Sequence, residues 1–543
     1  MSAVPVRIPP GTGLLLLLAL PALVPLVSIV TALATPDQDV WQHLFEHVLP
    51  RVTVNTITLG LGVALLSAFL GTGLAWLTAM CEFPGRRFFD WALLLPLAIP
   101  GYVLAFVAVG FLDYAGPLQT TLRNVFGTSA FVPPIRSWGG VTVVLSLTLY
   151  PYVYLLARSA FLTQGRRALE AAQTMGLDRW RGAWHVALPL ARPWIAAGMA
   201  LVTMETLADF GTVSVFNYDT FTTAIYRAWF GLFSAQAALE LAGVLMLFVI
   251  AALALERYSR GRARFHGSTR ADAQANRIEL GSSQRWLAAA GAAMVFAFAF
   301  ALPMLQLVQW TARHAIADFD GRYVGFVLRS IALAASAAAV ILAASIALAY
   351  VDRTQQPTGL RRWLIRIATT GYAIPGTVLA VGLLVPVIVL NNQLQALLER
   401  VLGTKAPLLM LHGTLFMVLI AYIARFLAVG FNPIESGLQR VTRSIDEAAM
   451  NLGVTGRTLV RRIHLPLLRT GMATAAALVF VDVMKEMPIT LLTRPFGWDT
   501  LAIRVFEMTS EGQWERASLP ALAIVLVGLI PTALLIRRGS DVA

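Results

Sequence analysis

Two pairs of carboxylates stand inside otherwise apolar sequence. Glu205 and Asp209 lie in Met204-Glu205-Thr206-Leu207-Ala208-Asp209, and Asp482 and Glu486 lie in Asp482-Val483-Met484-Lys485-Glu486. A spacing of four residues puts both members of a pair on one face of a helix. Ionisable groups in an apolar span are costly, and they mark either an aqueous path or an internal lock between helices. Carboxylate oxygens suit hard cations, which fits the first reading. For Asp482 the second is favoured, because Lys485 three residues on offers it an ion-pair partner. Other chemistry is thinly represented. His43-Leu44-Phe45-Glu46-His47 has the H-x-x-E-H order of an inverted zinc-protease helix, but the sequence offers no further ligand, so no metal site is expected. Cys81 is the sole cysteine, which leaves neither a disulfide nor a thiolate cluster. No GxxxxGK[ST] loop occurs, and the two lysines, Lys405 and Lys485, lie outside any glycine-rich phosphate loop. The chain is therefore not expected to be an enzyme or to carry a cofactor.

The elements that must hold these residues follow from composition. Of 543 residues, 57% are hydrophobic and 13% charged, against roughly 25% charged in an ordinary soluble domain, and the mean hydropathy is +0.70. A single water-soluble core is excluded. Apolar windows long enough for a bilayer fall at 12–34, 53–79, 89–112, 138–161, 190–213 and 235–256, then at 286–308, 327–350, 363–390, 408–430, 471–492 and 517–536. The fold class is all-α: a polytopic membrane protein of about 12 transmembrane helices. Most of the 42 Lys and Arg fall on the side that holds the two long loops and both termini, which places both termini in the cytoplasm. The net charge of +13 is spread between spans, so it implies membrane lipid as a partner and no nucleic acid. Arg7, the leucine run and Ala32-Leu33-Ala34 look like a signal peptide, but the apolar run is longer than such a segment needs, and it is read as a retained span.

The chain repeats itself. Ala98-Ile99-Pro100-Gly101 pairs with Ala373-Ile374-Pro375-Gly376, and Asn55-Thr56-Ile57 with Ser330-Ile331-Ala332, at one offset; Glu170-Ala171-Ala172 pairs with Glu447-Ala448-Ala449 two residues further apart. Residues 1–256 and 286–543 are thus two halves of six spans each. An even number of spans makes the halves parallel, with a pathway between them as the natural consequence. The Arg-, Gly- and Ser-containing stretch 257–285 is expected to be a flexible cytoplasmic tether. The Pro-Gly pairs Pro100-Gly101 and Pro375-Gly376 are expected to break their helices, and Tyr150, Tyr152 and Tyr154 to form part of an interfacial belt.

One long loop of each half, near 165–193 and 440–470, repeats in detail. Glu170-Ala171-Ala172, three residues, Gly176, nine residues, then Val186-Ala187-Leu188-Pro189 match Glu447-Ala448-Ala449, three residues, Gly453, nine residues, then Ile463-His464-Leu465-Pro466. Each glycine suits the left-handed position after a helix. Asp178 and Thr455 suit the cap of a second one. The product is a bent helix pair whose small Ala-Ala face permits close approach and whose glutamate suits the positive helix end.

These loops resemble the EAA loop of the permease subunits of binding-protein-dependent ABC importers, with Val186 a mild departure. The resemblance implies the type I ABC importer permease fold and a coupling helix seated on a separate ATPase. The implied coupling residues are Glu170, Ala171, Ala172, Gly176, Leu188 and Pro189, with Glu447, Ala448, Ala449, Gly453, Leu465 and Pro466. It implies an ABC ATPase subunit in two copies and a periplasmic substrate-binding protein as partners, and a bacterial inner-membrane location. Leu149-Tyr150-Pro151-Tyr152, Met204 to Thr212, Thr222 to Trp229 and Asp482 to Pro488 look more specifically like the fused permease of ferric-iron importers. Independently of the resemblance, the chemistry of carboxylates at equivalent positions of the two halves makes Glu205, Asp209 and Glu486 candidates to line a translocation pathway, with a lock between neighbouring helices as the other reading. A thiamine or other small-solute ABC permease is the neighbouring alternative, and an ion-coupled secondary transporter the alternative from another class.

Overall fold

Lipid offers no hydrogen bonds, so apolar spans must satisfy their backbone within themselves, and helices do so. The computed structural model describes residues 11–130, 132–260, 277–354, 358–403 and 411–540, and each expected span has a helical counterpart. In the first half these are α1 (Thr12–Ala34), followed by the short α2 (Gln38–His43); α3 (Leu49–Met80); a broken third span of α4 (Arg86–Ala92), a 3-10 turn at Leu95–Ala98 and α5 (Gly101–Leu112); then α6 (Pro117–Phe126) and α7 (Trp138–Ala160). The long loop holds α8 (Arg166–Thr174) and α9 (Arg179–Gly182). It leads into α10 (Leu188–Ala208), α11 (Gly211–Val215), α12 (Phe221–Phe230) and α13 (Ala235–Arg260).

The second half repeats the order. It runs through α14 (Ser282–Phe296) and α15 (Leu302–Asp318), α16 (Gly321–Thr354), a broken span of α17 (Gly359–Thr370) and α18 (Gly376–Leu402), and α19 (Leu415–Gln439). Its long loop holds α20 (Arg443–Asn451) and α21 (Gly456–Leu459), before α22 (Leu465–Lys485), α23 (Pro488–Thr493), α24 (Leu501–Ser510) and α25 (Ser518–Ser540). Among the described residues eleven helices are long and apolar enough to cross a bilayer, and the described apolar stretch of α25, Ser518–Ile530, is shorter. Both Pro-Gly pairs open a new helix after an extended residue, as expected.

The chain forms two compact units. One comprises residues 42–227, 244–323 and 504–543. At its centre α3 and α10 press on α7: a Cβ on Gly71 would stand 2.8 Å from Val153 Cβ, and one on Gly198 2.8 Å from Val153 Cα. Small residues let helices meet this closely in lipid, where packing drives association. The Phe88 ring meets Phe296 of α14 edge-on at 5.4 Å, and Gly110 of α5 lies against Trp310 and Trp514.

The other unit comprises residues 1–41, 228–243 and 324–503. Here α16, α19 and α22 play the corresponding parts, with Gly430 against Ser345 and Gly471 against the Pro433 carbonyl. Helix α1 packs on α17 and α18, where Gly382 accommodates Pro25. The fully buried Glu240 accepts the Asp37 amide at 3.0 Å and so pins the end of α1. Each unit therefore draws helices from both repeat halves.

The linker departs from a plain tether. Helix α13 carries its start to Arg260, residues 261–276 lie outside the described residues, and Ile278–Glu279 pair in parallel with Cys81–Glu82 as two short strands. Arg277 is 3.4 Å from Glu82. Extended backbone with free hydrogen-bonding groups beside an equally free helix end finds a partner there.

Candidate functional site

The two repeated loops fold alike, residue for residue. Helix α8 stops at Gly176, whose φ is +85°, and the Leu177 amide donates back to the Ala172 carbonyl at 3.0 Å. Helix α20 stops at Gly453, φ +76°, with the Val454 amide on the Ala449 carbonyl and the Gly453 amide on Met450, both at 2.9 Å. This is the Schellman closure that glycine makes possible. Asp178 and Thr455 then directly precede α9 and α21, and Pro189 and Pro466 take the second position of α10 and α22.

Two details of the expected loop are corrected. The alanine pairs do not present one face: Ala172 and Ala449 are buried, while Ala171 and Ala448 are exposed. A Cβ on Gly182 would stand 3.6 Å from the Ala172 Cβ, so the inward alanine packs the hairpin on itself. Nor do the glutamates cap a helix start. Glu170 and Glu447 are exposed and fall at the fifth position of nine-residue helices, beyond the first turn where the dipole acts. Glu170, Ala171 and Gly176 are thus displayed with Glu447, Ala448 and Gly453, while Leu188 and Leu465 sit half-buried at the base.

The carboxylates also differ from their expected arrangement. Helix α10 ends at Ala208, between Glu205 and Asp209, so the two do not share a continuous helix face. Asp209 turns out of the helix. Its Oδ1 accepts the Val213 amide at 3.1 Å, its Oδ2 the Thr212 hydroxyl at 2.9 Å and its carbonyl the Thr222 hydroxyl at 2.7 Å. Glu486 leaves α22 in the same way. Its Oε1 accepts the Ile489 amide at 3.0 Å and its carbonyl the Thr490 hydroxyl at 3.0 Å. Each acid thus caps a short helix, α11 or α23. Each also faces a Pro-Gly break: a Cβ on Gly101 would lie 3.4 Å from Asp209 Oδ2, and one on Gly376 3.1 Å from Glu486 Oε1. In each unit two helix interruptions meet around one carboxylate. Glu205 is half-buried in the last turn of α10.

Residues 68–258 and 355–538 each match the family described as binding-protein-dependent transport system inner membrane component. The chain belongs to that family. It is the permease of an ABC-type, binding-protein-dependent transport system, with multiple spans in the inner membrane, and the ion-coupled alternative falls away. Over 530 residues the permease is 26% identical to the Fe(3+)-transport system permease protein FbpB 2 of Haemophilus influenzae, covering 96% of this chain and 97% of that one. It is 31% identical to the molybdenum transport system permease protein ModB of Escherichia coli over 28% of this chain and 65% of the relative. To the sulfate transport system permease protein CysT of Escherichia coli it is 29% identical, over 37% and 72%.

Several structural residues of the permease were not evident from sequence. Arg425, in mid-α19 and 8% exposed, donates to the Ile374 carbonyl beside the Pro375 break and lies over the Tyr372 ring. Tyr422, one turn earlier, shares a 2.5 Å hydrogen bond with Thr490. Tyr150 and Tyr154 are fully buried rather than interfacial. Their hydroxyls donate to the Leu93 and Asp90 carbonyls at 2.8 and 3.0 Å, while Arg158 grips Asp90 through two bonds of 2.7 and 2.6 Å. The signal available was a polar residue inside an apolar run. His43 and His47 stack face to face at 5.0 Å, and Glu46 accepts from Gln42.

Proposed function

We propose that this permease imports ferric iron, received from a periplasmic binding protein and released to the cytoplasm at the expense of ATP hydrolysed by two copies of a separate ATPase subunit. The observation that carries iron is extent: similarity to a permease named for Fe(3+) transport runs end to end through both halves, whereas the molybdenum and sulfate relatives align with about a third of the chain. In this reading residues 1–256 and 286–543 are the two permease halves, 257–285 joins them, and both termini are cytoplasmic. The exposed Glu170, Ala171, Gly176 and their counterparts Glu447, Ala448, Gly453 meet the ATPase subunits. Leu188, Pro189, Leu465 and Pro466 carry the motion into the spans behind them. Glu205, Asp209 and Glu486 lie along the ion's path, since carboxylates beside helix breaks offer oxygen ligands to a hard cation.

The test is radioiron uptake in a strain lacking the gene, with and without the gene restored, in the presence of unlabelled iron, molybdate, sulfate or thiamine. Uptake restored by the gene and competed by iron alone supports the proposal. No difference in iron uptake, with restored uptake of molybdate, sulfate or thiamine instead, overturns it.

A further inference from the structure

The first turn of α20 contains an acid that the loop motif does not include, Asp446. Its Oδ2 accepts from Arg353, at the end of α16, through Nη2 at 2.5 Å and Nε at 3.2 Å. Its Oδ1 is 2.8 Å from Nε2 of His464, the residue before α22. The Arg353 Nη1 also donates to the Leu438 carbonyl near the end of α19 at 2.8 Å. One carboxylate thus gathers the ends of three long helices around α20. Arg353 and Asp446 side chains are 17% and 19% exposed and His464 is 3% exposed, so these are charge-assisted bonds largely withdrawn from water, where they are short and directional. The first loop shares this backbone but is anchored by other side chains. At the positions equivalent to Arg353, Asp446 and His464 it has Thr78, Leu169 and Ala187, all buried, and Leu169 packs against Gly182.

We propose that Asp446 is a positioning residue for transport, tying displacement of α20 to α16, α19 and α22, and that the two halves are coupled unequally, the second through this ionic joint and the first through apolar packing around Leu169. The proposal rests on the reading of the loops as ATPase-coupling elements. An apolar contact couples its helices through shape alone, whereas a two-pronged guanidinium pair and an imidazole bond hold one geometry and leave a buried charge stranded when one partner is removed.

The experiment reconstitutes the full-length permease with its ATPase subunit and iron-loaded binding protein in liposomes, and measures iron delivered per ATP hydrolysed. Asp446→Asn keeps size while weakening both contacts. It is expected to insert and to hold the ATPase subunit normally, yet to deliver about tenfold less iron per ATP, within the range that coupling residues produce. The triple variant Arg353→Thr, Asp446→Leu, His464→Ala gives the second loop the residues of the first and removes the stranded charge. It is expected to recover to within about threefold of the natural chain. A normal ratio in Asp446→Asn overturns the proposal, as does a triple variant no better than the single one, since that would make Asp446 a direct ATPase contact. Amide hydrogen exchange on the purified permease needs no ATPase. Exchange in 443–451 must rise several-fold in Asp446→Asn while 166–174 is unchanged, and equal behaviour of the two segments overturns the joint itself. Failure of the natural chain to stimulate ATP hydrolysis with normal exchange results would count against the coupling reading and leave the joint standing.

Discussion

A Cβ added at Gly176 or Gly453 would meet nothing within 4 Å, so the requirement for glycine there is set by backbone alone. A left-handed conformation costs an ordinary residue about 1–2 kcal/mol, and a β-branched one more. Gly176→Val with Gly453→Val should therefore open both hairpins and uncouple transport while membrane insertion stays normal; transport at the natural rate would remove the loops from the mechanism. Asp209 and Glu486 combine two roles that substitution can separate. Asn caps a helix about as well as Asp, so Asp209→Asn and Glu486→Gln should reach the membrane at normal levels yet take up iron several-fold more slowly if the charge serves the ion. Uptake that tracks protein level would reduce both acids to caps. Asp446 is the third case. Burial alone would raise its carboxyl, but hydrogen bonds from His464 and Arg353 and the charge of Arg353 outweigh that and hold it below its ordinary value. Because the folded value is the depressed one, its stabilising effect is complete above the ordinary carboxyl range near ~4 and is lost as pH falls through the folded value. Hydrogen-exchange protection of α20, corrected for intrinsic rates, should therefore fall below about pH 4 before that of α8; simultaneous loss would contradict the assignment.

At the scale of elements, the sequence told much about where helices lie and little about what faces what. The loops were legible because Schellman glycines, caps and Leu-Pro starts are local chemistry, repeated twice. The breaks at Pro100-Gly101 and Pro375-Gly376 were legible for the same reason. The burial of Tyr150 and Tyr154 was not, because a helix apolar all round carries no stripe to show which side meets protein and which meets lipid. The joint of Arg353, Asp446 and His464 was hidden differently: its members are far apart in the chain and only packing unites them. The helix ends before Asp209 and Glu486 escaped notice because no Pro or Gly precedes either acid. The capping threonine and amides that hold each break lie downstream, and the sequence signal of each break, Gly211 or Pro488, follows the acid inside an otherwise apolar run.

At the scale of the whole molecule, the repeat halves and the compact units are different partitions of one chain. Helix α1 shares a unit with α16 to α23, and α14, α15 and α25 share theirs with α3 to α10. Residues 1–260 expressed alone would hold α1 without α17 and α18. That fragment should accumulate to a several-fold lower level than the full chain, and co-expression with residues 277–543 should raise it; a fragment equally abundant on its own would argue against the shared packing. The same interleaving sets a timetable for biosynthesis. Helix α17 begins more than three hundred residues after α1, and at roughly 5–20 residues per second that is a delay of about 15–65 s. Throughout it the side of α1 carrying Ala19, Ala22, Pro25 and Ile29, buried in the finished unit, has only lipid against it. Hydrocarbon is nearly as good a neighbour for such a surface as protein is, so the bilayer itself keeps the place of the absent helices until translation supplies them.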